Sequence, residues 1–351
     1  MNKLYNQHKL VRSLASIGLS FSLYLCPTPG TAQPVTAPER PVLVQLQPGA
    51  TGGEIQAALN TLPVAGGEVV LPPGNYLIRQ PLVLSRDNQS LRGAGATTIL
   101  RLADNANCPV IIMGEPVNTP VKTVKNLRVS DLAIDGNRTH QQRELWVETG
   151  EGSEIRNNGL TIQAVTDCTV KNVAAYDCRS GGLVTTLGVR RLAVTHFESY
   201  GNEFDGLACY LTEESTFTDL NLHDNPGAGI SLDLAFNHNT FRNATLTGND
   251  LGIFMRSSHD NQFFGVVIRD SKHHGVFMAH AEDYVGGVAQ PAPTTECTRN
   301  AFTNLAALNC GGAAFRVNNT TCTQNELVKP KFTGNHSGDL SLAGPNLVTV
   351  H

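Results

Sequence analysis

The sequence predicts an all-β protein, a single-stranded right-handed parallel β-helix (a solenoid) with a short N-terminal capping α-helix. Three observations carry that expectation. Glycines recur at positions 159, 182, 206, 229, 252 and 275, so the steps are 23 or 24 residues. Residues one and three places after each glycine are mostly apolar, as in Leu160 and Ile162, Leu207 and Cys209, Ile230 and Leu232, Ile253 and Met255, and Val276 and Met278. That period of two marks a strand with one buried face. Finally, no unit contains an amphipathic helix, so each must bury its apolar face by stacking on its neighbours, with strands about 4.8 Å apart. A leucine-rich repeat has a similar period, but its Leu-x-x-Leu-x-Leu signature is missing.

Residues 1–32 read as a secretory signal. Lys3, Lys9 and Arg12 give a positive start, residues 14–25 an apolar stretch, and Gly30, Thr31 and Ala32 a small-residue cleavage site. Residues 33–42 contain three prolines and read as a linker. Residues 43–125 are expected to form the N-terminal cap and first coils. Within them, residues 54–62 (EIQAALNTL) form an amphipathic helix that covers the open end of the solenoid, whose strand edge would otherwise be unpaired. Residues 126–340 carry the regular coils. Each has a second apolar segment, such as 170–175, 192–197, 217–222 and 241–246, and turns closed by pairs such as Gly201-Asn202, Asp224-Asn225 and Gly248-Asn249. A weaker copy of the repeat is expected at Gly312, with Ala313 and Phe315, after an insertion at 281–296. Residues 341–351 read as a C-terminal tail.

Composition limits the function. With 40 % hydrophobic and 16 % charged residues, the chain is neither disordered, collagenous nor a coiled coil. Its formal charge of −4 becomes −7 once the three basic residues of the signal are removed, which disfavours nucleic acid and anionic membranes as partners. Seven scattered cysteines remain after cleavage, an odd number that does not describe a disulfide framework. Cys297 and Cys322 begin similar segments (CTRNAF and CTQNEL), and stacking in adjacent coils would bring them within bonding reach. No Cys-x-x-Cys pair or His-Glu-x-x-His motif points to zinc, and no motif indicates calcium, so no cofactor is expected.

If the first and third residues after each glycine point inward, the second and fourth point outward. The fourth positions read Gln163, Thr186, Tyr210, Asp233, Arg256, Ala279 and Arg316. Tyr210, Asp233 and Arg256 should therefore stand side by side on one outer wall and form a candidate catalytic group, with His280 overhanging it from the fifth position. An arginine can neutralise a sugar carboxylate and stabilise an enolate, a base can remove the adjacent proton, and a tyrosine can donate to the leaving oxygen. Asp233 beside Arg256 is a feeble base, because an opposite charge lowers a carboxyl pKa. An exposed ladder ion pair of little energetic weight is the competing reading of those two residues. A polar loop at 138–158 supplies Arg138, Arg143 and the only tryptophan, Trp146, as candidate substrate-binding groups along with Gln163 and Arg316. Trp146 suits stacking on a sugar ring and equally suits packing the loop onto its coil.

Within 53–95, the run IQAALNTLPVAGGEVVLPPGNYLIRQPLVLSRDNQSLRGAG resembles the start of many secreted lyases and epimerases of the pectin-lyase-like superfamily. The segments LAIDGNR, DGLACYLTEES, AGISLDLAFNH and LGIFMRSS are most similar to mannuronan C5-epimerases and related alginate-modifying enzymes. The resemblance implies an exported protein, secreted or periplasmic, that acts as a lyase or C5-epimerase on a uronic acid polymer of alginate or pectate type. The Asp-Pro-His motif of the epimerases is absent from the corresponding strand, Gly181-Gly182-Leu183-Val184-Thr185-Thr186, so their catalytic residues do not transfer. A glycoside hydrolase with paired carboxylates and a non-catalytic carbohydrate-binding protein remain the alternatives.

Overall fold

Among the described residues every strand pairing is parallel, and each strand lies against its counterpart one coil away. The computed structural model describes residues 42–143, 155–280 and 296–351, and within them the chain winds into a right-handed parallel solenoid of about 12 turns. The signal and almost all of the linker lie outside the described residues. Three sheets run the length of the solenoid: a front sheet of ten short strands, a narrow sheet of seven two-residue strands, and a long bent sheet of 17. A representative coil contributes Leu207–Tyr210, Thr212–Glu213 and Thr216–His223 to them in that order.

Corners set the coil length. The backbone turns from the front sheet to the narrow one through left-handed residues, singly at Leu211 and in the pairs Leu187–Gly188 and Leu234–Ala235, and from the narrow to the long sheet through Arg191, Glu214, His238 and Asp260. After the second corner the chain turns inward, and the buried polar residues there form a ladder. Asn239, Asn261, Asn300 and Asn325 stack so that each amide oxygen accepts from the backbone N–H and the side-chain amide of the asparagine one coil earlier. A second ladder, Asn202, Asn225 and Asn249, does the same where the long sheet ends. Buried amides are tolerated only when their hydrogen bonds are made, so these ladders hold successive coils in one register. The recurring glycine sits beside the second ladder, where a Cβ at Gly182 would come within 1.9 Å of Ser199 Oγ.

Between the ladders the core is apolar. The rings of Phe217, Phe241, Phe263 and Phe302 stack with centroids 4.6, 5.0 and 4.3 Å apart. At the N-terminal end the helix Gly52–Thr61 begins two residues before the expected start, with Thr51 and Glu54 forming a reciprocal capping box. It buries Ile55, Ala58 and Leu59. Gln56 also accepts from the Val83 backbone N–H (2.7 Å) and donates to its carbonyl (3.1 Å), so a side chain takes the place of a neighbouring strand at the front-sheet edge.

Two expectations change. Residues 340–350 do not trail away as a tail, because Leu340–Leu342 and Val348–Val350 pair with the preceding coil. The last regular repeat is displaced by two residues: Ala314, not Gly312, stands opposite Gly275, and Arg316 pairs with Phe277. The insertion at 281–296 lies almost wholly outside the described residues, and alanine at the glycine position leaves no mark for a search based on glycine.

If the asparagine ladders set the register, Asn225→Ala should cost about 2 kcal/mol, since it strands buried donors on Asn202. Asn221→Ala, on an exposed face of the same coil, should cost less than about 0.5 kcal/mol. Chemical denaturation of both variants measures the difference.

Candidate functional site

In these three coils the fourth residue after the recurring glycine ends its front strand before a left-handed corner: Tyr210 precedes Leu211 (φ 46°), Asp233 precedes Leu234 (φ 50°) and Arg256 precedes Ser257 (φ 42°). Left-handed leucine and serine cost free energy that surrounding packing must offset, and here the strain lies directly behind the candidate side chains. Tyr210 lies opposite Asp233 in the ladder, and Arg256 follows one coil on, reaching back to Asp233 with Nε at 2.8 Å and Nη2 at 2.5 Å from Oδ2. The other carboxylate oxygen accepts from the Leu234 backbone N–H at 2.8 Å.

This wall is less open than the alternation of the strand implies. Tyr210 is 6 % and Asp233 1 % exposed, because Val184, Ala208, Tyr210 and Leu234 form a small apolar cluster on the outer side of the sheet, with Leu211 packed against it. The corner residues fold their side chains over the strand ends. In the Asp233–Arg256 pair the guanidinium is 25 % exposed and the carboxylate buried. It is therefore not an exposed ladder pair: the acid is an anchor, and the cation is what the surface presents. Removing the cation would leave a buried carboxylate without its compensating charge.

These residues line a cavity of about 260 Å³ with Ser231, Phe254, Phe204 and two further acids, Asp205 and Asp250. Neither extra acid matches Asp233 in position. Asp205 Oδ1 accepts from the Ala228 backbone N–H at 2.6 Å, and Asp250 Oδ1 pairs with His273 Nδ1 at 2.8 Å. A Cβ on Gly227 would lie 2.5 Å from Asp205 Oδ1, so this turn is closed tightly around the carboxylate.

The second outward row extends the surface. Phe254 and Phe277 stack with centroids 5.8 Å apart, Arg256 lies over Phe254 at 5.2 Å and Arg316 over Phe277 at 5.8 Å. His274 stacks on Phe277, and its Nδ1 accepts from the Ala313 backbone N–H at 2.9 Å. Burial first, then the Arg316 charge, holds the His274 imidazole below its ordinary pKa. Ser231, Phe254 and Phe277 sit at second positions, so the repeat itself contained the signal that the fourth-position reading passed over.

Other sequence candidates fall elsewhere. Gln163 is buried, donates to the Glu115 and Val117 carbonyls and accepts from Thr186 Oγ1, so its amide ties a neighbouring loop to the sheet. Arg138 lies on the short turn Arg138–His140 and approaches Glu203 at 3.8 Å. Arg143 is exposed. His280 follows the strand Val276–Ala279, its backbone N–H donating to Asn319 Oδ1 at 2.9 Å, and is not part of the cavity lining. Trp146 lies outside the described residues. Among the described residues, no three His, Cys, Asp or Glu side chains converge as a metal-binding group.

The family profile described as "Periplasmic copper-binding protein (NosD)" matches residues 121–344, well over half of the chain. The chain belongs to the NosD family. That family is periplasmic by its description, and no helix among the described residues is long and apolar enough to cross a membrane. No curated protein gives a significant match. Solved structures confirm the fold expected from the resemblance. Two A-modules of mannuronan C-5 epimerases from Azotobacter vinelandii superpose with a TM-score of 0.54, one at 17 % identity over 86 % of this chain and 93 % of its own, the other at 20 % over 85 % and 95 %. The endo-xylogalacturonan hydrolase of Aspergillus tubingensis gives 0.51 at 12 % identity, covering 88 % and 95 %. The N-terminal fragment of gene product 12 from bacteriophage Phi29 gives 0.61 at 17 % identity over 84 % and 51 %. This member of the NosD family thus shares its coil with carbohydrate-active β-helix proteins.

If Arg316 bears on His274 as the geometry indicates, the imidazole should titrate below 6.5 in NMR and move upward in Arg316→Gln, because loss of a nearby cation favours the protonated ring. An unchanged titration in that variant would separate the two side chains.

Proposed function

We propose that this protein is an exported β-helix that binds an acidic polysaccharide along the front sheet and acts on it by proton abstraction next to the sugar carboxylate. The observation that carries the reading is the asymmetry of the Asp233–Arg256 pair, with the acid buried and the guanidinium turned outward beside the Phe254 ring. A guanidinium positioned in this way offers a fixed donor array to a carboxylate, and the aromatic surface at Phe254 and Phe277 suits the apolar face of a sugar ring. The epimerase and hydrolase neighbours act on polysaccharides by their names, which supports the substrate class without assigning the reaction.

In this reading Arg256 neutralises the uronate carboxylate and stabilises the enolate that develops as the C5 proton leaves. Asp233 is a positioning residue and not the base, because one oxygen holds the guanidinium and the other holds the corner. Tyr210 is the proton-transfer group. As a phenolate in the cavity that Arg256 also lines, it takes the C5 proton, the C4–oxygen bond breaks, and the phenolic proton passes to the leaving oxygen, giving a chain end with a new C4–C5 double bond. The family description names copper, but among the described residues no three His, Cys, Asp or Glu side chains converge to hold a copper ion. Burial pushes the Cys108 thiol up to about 11 and those of Cys168 and Cys209 up to about 12, whereas a thiolate ligand must lose that proton. Met255 and Met278 are fully buried inside the coil.

Incubation with alginate, pectate and a neutral glucan tests the proposal. A rise in ultraviolet absorbance with a uronate polymer alone is expected, at least 100-fold slower in Tyr210→Phe and in Arg256→Ala. Deuterium entering C5 without cleavage would replace the lyase with an epimerase. Reducing ends without absorbance would indicate a hydrolase. Silence in all three signals with retained binding would leave a carbohydrate-binding protein.

A further inference from the structure

We propose that Cys297 and Cys322 form an intramolecular disulfide between consecutive coils when the chain folds under oxidising conditions. Cys297 lies in the two-residue strand Cys297–Thr298, and Cys322 follows it by 25 residues, in the turn preceding Asn325–Val328. The same step stacks Asn300 on Asn325, whose amide oxygen accepts from both the backbone and the side chain of Asn300 at 3.1 Å. The two cysteines are therefore one coil apart, about 4.8 Å between backbones, within the Cα separation that a disulfide spans.

Their side chains already meet. The Cys297 backbone N–H donates to Cys322 Sγ at 3.4 Å, and both residues are fully buried. Asn325 Nδ2 donates to the Cys297 carbonyl at 3.1 Å and fixes the strand from the same side. Cys322 lies outside a strand, so its Cβ can turn toward Cys297 without breaking a ladder bond. Hydrogen bonds from the Cys297 thiol and backbone lower the pKa of the Cys322 thiol, which makes Cys322 the attacking sulfur. With oxidised glutathione as the oxidant, the Cys322 thiolate displaces one glutathione thiolate and forms a mixed disulfide. Cys297 then attacks the Cys322 sulfur, loses its proton and releases the second glutathione. Two protein thiols become one disulfide, and one oxidised glutathione becomes two reduced molecules. Cys297 Sγ also approaches the carbonyl of Ala279, the residue paired with Arg256 across the front sheet, so the bond would clip the coil next to the cavity. The inference does not depend on the proposed reaction.

The test is refolding of the full, reduced chain in mixtures of oxidised and reduced glutathione, followed by alkylation under denaturing conditions and tryptic mapping. Trypsin cuts after Arg299 and Arg316, so the two cysteines fall in separate peptides unless they are bonded. The expected result is one linked pair of those peptides, lost on reduction. The oxidised protein should melt roughly 5 °C above the reduced one. The double variant Cys297→Ala with Cys322→Ala should melt alike in both buffers, and either single variant should leave its partner open to alkylation. Recovery of both peptides separately alkylated across the redox range, or a linkage of either cysteine to a third one, would overturn the proposal.

Discussion

The solenoid depends on hydrogen bonding at its corners. A coil of this kind must reverse direction several times while burying the backbone at each turn, and every polar group taken inside must find a partner. The two asparagine ladders answer that requirement by making each corner the hydrogen-bond partner of the next. Because an amide oxygen on one coil accepts from the backbone of the previous one, a coil cannot gain or lose a residue at the corner without leaving donors unmet. The phenylalanine stack between the ladders follows from that register rather than causing it, since rings 4.3 to 5.0 Å apart are what the coil spacing allows.

The same constraint builds the candidate site. With the register fixed, the residue before each front corner occurs at the same height and on the same side, coil after coil. Tyr210, Asp233 and Arg256 meet for that reason and not through any loop of their own. The left-handed corners behind them bring Leu211 and Leu234 over the strand ends, which buries the acid and leaves the guanidinium in view. A carboxylate enclosed in this way is a poor proton acceptor and a good fixed counter-charge. In the proposed reading Asp233 therefore orients the guanidinium, and proton transfer falls to Tyr210.

Periodicity made the fold legible in the sequence. A glycine every 23 or 24 residues with apolar residues at the first and third places after it was enough to give strand direction, coil length and inward face. The helix was legible through its apolar spacing, although its start was displaced because Gly52 and Gly53 read as a break while Thr51 and Glu54 cap them into the first turn. Where the mark itself changed, the reading slipped. Ala314 replaces the glycine, so Arg316 was counted two places late and appeared in the tyrosine row rather than the phenylalanine row. Burial on the outer face was not legible at all, because a period of two reports which side a residue takes and says nothing of what covers that side. Gln163 shows the cost of that gap: a side chain that alternation puts outside is enclosed by the loop whose carbonyls it binds.

The net charge of this protein and the charge it turns outward beside the Phe254 and Phe277 rings differ in sign, and distance decides between them. The chain is acidic as a whole, at −4 before any processing, which would oppose a polyanion at long range. At physiological ionic strength that repulsion fades beyond about 8 Å, whereas a contact at the front sheet is made within a few ångströms and partly out of water. There the surface presents Arg256 and Arg316 against aromatic rings, with the carboxylate that anchors the first of them buried. Under the proposed function, a polymer arriving against a weak general repulsion would be bound only where its carboxylates meet those two side chains. Such an arrangement would trade speed of encounter for selectivity, because a uniformly basic surface would hold any polyanion, whereas this one would hold only a chain whose charges match its coils.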